Sequence, residues 1–83
     1  MQGQVVQINQ RCGMVAVLTD GDGYSVVELT GDDLDVGDVL RWSSDHPLGF
    51  GKVNNLTRNA VIEVIFQNHC VSKEHLRQQL LYE

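Results

Sequence analysis

The chain has 83 residues, of which 42% are hydrophobic and 20% are charged, and its formal net charge is −5. This length allows one domain with one core, so residues 1–83 are treated as a single domain, without a separate catalytic or regulatory domain. No apolar run is long enough to span a membrane, and residues 1–4 lack the features of a signal peptide, so we expect a cytoplasmic protein without a membrane partner. Two cysteines are too few for a disulfide framework, which fits a reduced, bacterial-type or cytosolic interior.

Acidic residues are concentrated in the middle of the chain. Residues 20–45 contain eight carboxylates and a single cation, Arg41, whereas residues 46–83 carry four cations and three carboxylates. Because Lys and Arg contacts to phosphate supply most non-specific nucleic-acid affinity, the acidic segment would repel a polyanion. Any nucleic-acid-binding surface must therefore be small and local. The alternative is that these carboxylates are solvated turn residues that favour solubility.

Five short strands are predicted in the first part of the chain. Residues 3–9 show the alternation of a half-buried strand, and residues 14–19 and 24–29 flank a turn in which Asp-Gly occurs twice, a strong hairpin signal. Residues 39–42 and 52–57 are predicted as the fourth and fifth strands, separated by an irregular loop with the only proline. This spacing favours a mainly β fold, a five-stranded Greek-key barrel of the OB-fold type.

Residues 58–83 are predicted to extend that barrel with a strand and an α-helix. Residues 60–66 alternate as a strand does, and Ser72 is placed to cap a helix over residues 73–82. The helix has one narrow apolar stripe for docking, formed by Leu76, Leu80 and Leu81.

Residues 3–57 resemble the cold-shock domain and its OB-fold relatives. The resemblance is carried by Gly-Gln-Val-Val-Gln-Ile-Asn at residues 3–9, Gly13, Val-Gly-Asp-Val at residues 36–39 and Lys-Val-Asn-Asn-Leu-Thr at residues 52–57. In the family the first strand reads Gly-x-Val-x-Trp-Phe-Asn, and the closing strand often reads Ala-Ala-Asn-Val-Thr. The resemblance implies a barrel that binds single-stranded nucleic acid by stacking bases on aromatic residues of its second and third strands.

The chain lacks the aromatic residues that this stacking needs. The family's aromatic and His positions on that face are occupied here by Gln7, Met14, Ala16, Val26 and Glu28. Each stacked base contributes about 1–3 kcal/mol, so losing several of them weakens binding on that face by on the order of a thousandfold. The sequence is therefore similar to a cold-shock protein in its strands but not in its binding face.

The remaining candidate for recognition is the loop between the fourth and fifth strands, which OB-folds often use to bind ligands. Aromatic and cationic groups lie close together in sequence around it: Arg41, Trp42, His46, Phe50, Lys52 and Arg58. The family resemblance favours single-stranded RNA or DNA, or a ribonucleoprotein, as the ligand of these residues. The alternative interpretation is that Trp42 and Phe50 anchor the core or the loop and that the charges are merely solvated.

A second hypothesis is a protein-interaction or regulatory adaptor module that binds a protein partner or a second copy of the chain. Its surface would be Met14, Ala16, Val26 and Glu28 if that face is open to solvent. The exposed edge of the strand over residues 60–66 is another possible surface, because it can add to another sheet. If the C-terminal helix folds over the first of these surfaces, its apolar residues are ordinary core.

No residue pattern indicates catalysis, a metal or a cofactor. The carboxylates lie in turns, the serines lack a His-plus-carboxylate pattern, and no glycine-rich phosphate motif is present. His69, Cys70 and His75 are only three potential ligands, whereas structural zinc takes four, and adjacent residues on a strand point to opposite faces. We therefore expect a non-enzymatic protein that needs neither a metal nor a cofactor.

Overall fold

A computed structural model describes residues 1–21, 23–43 and 48–80. Its strands are β1 (Gln2–Asn9), β2 (Met14–Thr19), β3 (Tyr24–Leu29), β4 (Val39–Arg41), β5 (Gly49–Asn55) and β6 (Ala60–Val71). They form a closed antiparallel barrel in the order β1-β2-β3-β6-β5-β4. Because β4 returns to pair with β1 beside the β1–β2–β3 meander, the connectivity is a Greek key. The predicted mainly β class, with a barrel followed by a C-terminal helix, is confirmed.

Strand β6 closes the barrel instead of being added to a complete one. It pairs with β5 from Gly49↔Phe66 to Asn55↔Ala60, and with β3 from Tyr24↔Val71 to Leu29↔Val64. Since β3 and β5 are both neighbours of β6 and not of each other, residues 3–57 alone would leave the barrel open between these two strands. The extension predicted from the sequence is therefore part of the barrel wall.

The pairing of β6 also limits strand addition at its edge. Strand β5 occupies one edge of β6 over residues 60–66, and β3 occupies the other edge from Val64 onwards. Just before that point, the hydroxyl of Thr30 donates to the carbonyl of Glu63 at 3.0 Å. A partner sheet needs a row of unpaired backbone groups, which this segment offers only near its start.

The barrel core is formed by the inward-facing side chains. Its members are Val5, Val15, Val17, Val27, Leu34, Leu40, Trp42, Val53, Ile62, Val64 and Phe66. At its centre the rings of Trp42 and Phe66 lie with their centroids 5.7 Å apart. In a barrel this small, the inward-facing side chains fill the interior.

A second apolar cluster, the outer cluster, lies on the outside of β2 and β3. It consists of Met14, Ala16, Val26, Val71, Leu76 and Leu80. The last two belong to the C-terminal segment, in which a 3-10 helix (Lys73–His75) is followed by helix α1 (Leu76–Gln79) and its C-cap, Leu80. Asn9 fastens the end of this segment, because its Nδ2 donates to the carbonyl of Leu80 at 2.7 Å. The C-terminal segment is therefore docked on the barrel.

The predicted helix over residues 73–82 differs from the observed structure in three respects. Its first turn is 3-10, and Ser72 does not cap it through a backbone N–H; the Ser72 hydroxyl instead lies 2.7 Å from Nδ1 of His75. The α-helix also ends at Gln79, with Leu80 as its C-cap, so it is shorter than predicted; residues 81 and 82 lie outside the described residues. Neither helical piece among residues 1–80 that the structure describes is long and apolar enough to cross a membrane.

Candidate binding surface

The outer face of β2 and β3, where the sequence resemblance would place base stacking, is covered by the C-terminal segment. Met14, Ala16 and Val26 are buried beneath the C-terminal segment, so this apolar face is ordinary core and not an open partner surface. Glu28, at the end of the same face, remains partly exposed and accepts a hydrogen bond from Nε2 of Gln67 at 2.8 Å. Ala16 and Val26 are 0% exposed, so neither a base nor a partner protein can reach them in this conformation, and Met14 keeps only 6% of its surface exposed.

The fold separates the residues of the predicted recognition patch. Trp42 is buried in the barrel core against Phe66. Its backbone is also held, because its N–H donates to the carbonyl of Met1 at 3.0 Å and its carbonyl accepts from the amino terminus at 2.9 Å. Trp42 therefore anchors the core and offers no face for stacking. His46 lies outside the described residues.

Arg58 is engaged by carboxylates at one end of the barrel. Its guanidinium forms a salt bridge with Asp35, and its Nε lies 3.7 Å from Oδ2 of Asp38. Asp38 is buried, and the same oxygen accepts hydrogen bonds from Nδ2 of Asn55 at 2.9 Å and from the backbone N–H of Asp35 at 3.0 Å. A phosphate group would have to compete with two carboxylates for Arg58. The side chain of Arg58 therefore stabilises the turn between β5 and β6 and is a poor candidate for phosphate binding.

Three residues of the predicted patch stay together on the outer face of the sheet. Phe50 and Lys52 alternate along β5 with the buried Val53, so they point away from the core. Arg41 lies on neighbouring β4, where it is exposed and its guanidinium donates to Oε1 of Gln2 at 3.1 Å. The sequence-based patch is thus reduced to one aromatic ring and two cations.

Strand β6 completes this surface, which we call the Phe50 face. Its residues are Arg41, Phe50, Lys52, Asn54, Val61, Glu63 and Ile65, joined by the cross-strand pairs Phe50↔Ile65, Lys52↔Glu63, Asn54↔Val61 and Arg41↔Asn54. Phe50 is 73% exposed, the highest value among the exposed large apolar side chains that the structure describes. The face therefore combines an exposed aromatic group with aliphatic neighbours and both signs of charge.

A polar cleft adjoins the Phe50 face where α1 meets the sheet. It has a volume of about 360 Å³ and is lined by Cys12, Met14, Glu28, Gln67, Gln78 and Gln79. Ile65 connects the two surfaces, because it pairs with Phe50 on one side and with Glu28 on the other. The sequence predicts Met14 and Glu28 as part of a partner surface. It gives no signal for Gln78 and Gln79, because no local pattern places these residues near Glu28.

The described residues offer little for catalysis or metal binding. Over residues 1–21, 23–43 and 48–80, no group of three or more His, Cys, Asp or Glu side chains could hold a metal ion. The hydroxyl of Ser25 lies 2.9 Å from Nδ1 of His69, but Ser25 is buried, so a substrate would not reach that oxygen. This contact ties β3 to β6 and gives no support for an acyl-transfer site.

Comparisons with known proteins do not indicate a function for this chain. No protein-family model matches the chain, and no curated protein or solved structure is significantly similar to it. The assignment therefore depends on the exposure, chemistry and position of the residues in the Phe50 face and the adjoining cleft.

Proposed function

We propose that this chain is a non-enzymatic interaction module that binds a protein partner through the Phe50 face. The observation that carries the proposal is the exposed phenyl ring of Phe50, held on a regular sheet instead of on a loop. Burying such a side chain contributes about 1.5–3 kcal/mol, and interfaces are enriched in aromatic residues and Arg at their anchoring positions. Arg41, Lys52 and Glu63 supply a polar rim around this anchor.

Single-stranded RNA or DNA is the second candidate ligand, because Phe50, Lys52 and Arg41 share one face. One stacked base contributes about 1–3 kcal/mol of binding free energy. Phosphate contacts from Lys52 and Arg41 add little to this, because Glu63 lies beside Lys52 and the chain has a net charge of −5. Such a site is expected to bind an oligonucleotide with a Kd of about 1 mM. The observations therefore favour a protein partner.

We further propose that the barrel is an OB-fold relative of the cold-shock domain whose stacking face has been covered by its own C-terminal segment. The Greek-key connectivity of the first four strands supports this relationship. The proposed location is the cytoplasm, because the two free, exposed cysteines, Cys12 and Cys70, suit a reducing compartment.

Phe50→Ala is expected to reduce capture of the partner by at least about tenfold while leaving the fold intact. Since the side chain is exposed, the free energy of unfolding should change by no more than about 0.5 kcal/mol. Immobilised wild-type and variant chains are compared by affinity capture from a lysate of the source organism with quantitative mass spectrometry.

Val36→Ala is the matched control for this experiment. Val36 is an apolar turn residue that is 64% exposed but lies outside the Phe50 face. Proteins that are lost with Phe50→Ala and retained with Val36→Ala support the proposal. Identical captured sets from all three chains would contradict it.

An NMR titration of the labelled chain with mixed single-stranded RNA and DNA oligomers at low salt separates the two candidates. With micromolar protein and excess oligomer, we expect no significant shifts of the Phe50 face. Shifts confined to Arg41, Phe50 and Lys52 that disappear as salt is raised would favour nucleic acid instead, since phosphate contacts are screened by salt.

A further inference from the structure

A row of outward-facing residues crosses four strands of the barrel and connects the Phe50 face to the polar cleft. The row consists of Phe50, Ile65, Glu28 and Met14, each the cross-strand partner of the next. Cross-strand partners share a face of the sheet, and neighbouring strands are about 4.8 Å apart. Phe50 and Glu28 are therefore separated by about 10 Å along a continuous surface.

The cleft at the end of this row has the chemistry of a site for a basic side chain. Glu28 is its single charged group, and the side chains of Gln67, Gln78 and Gln79 add amide groups around it. Gln67 donates to Oε1 of Glu28, and a carboxylate can accept further hydrogen bonds from a second donor. Carboxylate and amide oxygens accept the N–H groups of Lys or Arg, while a phosphate or an acidic side chain would be repelled.

We infer that the partner of this chain presents an extended peptide segment that crosses the strands, with an apolar side chain on Phe50 and a basic side chain in the cleft beside Glu28. An extended chain advances about 3.3 Å per residue and points successive side chains to opposite faces, so a basic residue two or four positions from the apolar one lies on the same side, about 7 or 13 Å away. The long side chain of Lys or Arg covers the remaining distance to Glu28. The net charge of −5 also attracts a basic segment. This inference deepens the proposed function and rests on it, because the apolar anchor uses the Phe50 face.

The inference is tested by selecting a random linear peptide library on phage against the immobilised full chain, with parallel selections on Glu28→Gln and Phe50→Ala. The wild type is expected to enrich peptides with an apolar residue and a Lys or Arg two or four positions away. Glu28→Gln should keep the apolar preference and lose the basic one. Phe50→Ala should lose the enrichment.

The dissociation constant of the most enriched synthetic peptide then measures the contribution of the carboxylate. Glu28→Gln is expected to weaken binding by about tenfold or more, because a charge-assisted hydrogen bond is lost. Glu74→Gln, which removes an equal charge from an exposed site outside the cleft, is expected to stay within about twofold. Thermal unfolding of both variants verifies that they remain folded.

The outcomes distinguish this inference from the proposed function. Enriched peptides that lack a basic position, or equal affinity for wild type and Glu28→Gln, would overturn the role of the cleft and leave the Phe50 face as the docking surface. Enriched peptides that bind Phe50→Ala as tightly as the wild type would overturn both. An absence of any enrichment would overturn the peptide inference alone, since lysate capture tests the face independently.

Discussion

Replacement of Phe66 with Ala is expected to lower the free energy of unfolding by about 3–5 kcal/mol. Phe66 is buried on β6, and its ring lies 5.7 Å from that of Trp42 and 5.2 Å from that of His69. Removing it leaves a cavity at the junction of β5, β6 and the barrel core. Urea denaturation followed by the fluorescence of Trp42, the only tryptophan, and by far-UV circular dichroism measures the change.

The control for this variant is Val61→Ala, on the same strand but 63% exposed. Its expected effect is no more than about 0.5 kcal/mol. The two probes should report the same midpoint for each variant, because β6 is part of one cooperative barrel. A loss below about 1 kcal/mol for Phe66→Ala would mean that the Phe66 ring is not packed in the barrel core as described.

Leu80→Ala is expected to destabilise the chain by about 2–5 kcal/mol and to expose the outer cluster. Leu80 is 0% exposed in that cluster, and its carbonyl accepts the hydrogen bond from Asn9. Weaker docking of the C-terminal segment uncovers apolar surface on β2 and β3, so binding of the dye ANS should increase. Urea denaturation and ANS fluorescence report the two effects.

Gln78→Ala in the same helix provides the comparison for Leu80→Ala. Gln78 is exposed, so its replacement should change stability by no more than about 0.5 kcal/mol and should not raise ANS fluorescence. If Leu80→Ala behaves in the same way as Gln78→Ala, the C-terminal segment does not cover the sheet.

The hairpin of β2 and β3 was predictable because its signals are local. The predicted strands, residues 14–19 and 24–29, match the observed bounds, since alternating apolar residues and the Asp-Gly turn lie within the hairpin itself. The other strands were less well defined. Strand β5 begins at Gly49, whereas the sequence predicts a start at residue 52. The prediction starts too late because Gly49 and Gly51, on either side of Phe50, are typical of a loop.

Strand β6 was predicted too short for a related reason. Residues 67–70 are polar or small, and the strand is irregular there, with register shifts opposite β3 and a φ of 56° at Cys70. Alternation of hydrophobic residues is therefore lost before the strand ends. Its position between β3 and β5 depends on long-range pairing, which the pattern of a single strand does not specify.

The candidate surface was predictable only in part. Sequence proximity brought Arg41, Phe50 and Lys52 together correctly on one side of the sheet. Sequence proximity also grouped Trp42 and Arg58 with these residues, although the fold places them elsewhere. Their partners, Phe66 and Asp35, are distant in the chain, so the local sequence does not indicate these contacts. The glutamines of the cleft were missed for the same reason.

The C-terminal segment covers the outer face of β2 and β3, whereas the Phe50 face stays exposed. A methyl NOESY spectrum of the labelled chain tests this arrangement. Cross-peaks are expected from the methyl groups of Leu76 and Leu80 to those of Met14, Ala16 or Val26. If these cross-peaks are absent and a soluble paramagnetic agent broadens the methyl signals of Ala16 and Val26, the face is open and the C-terminal segment does not cover it.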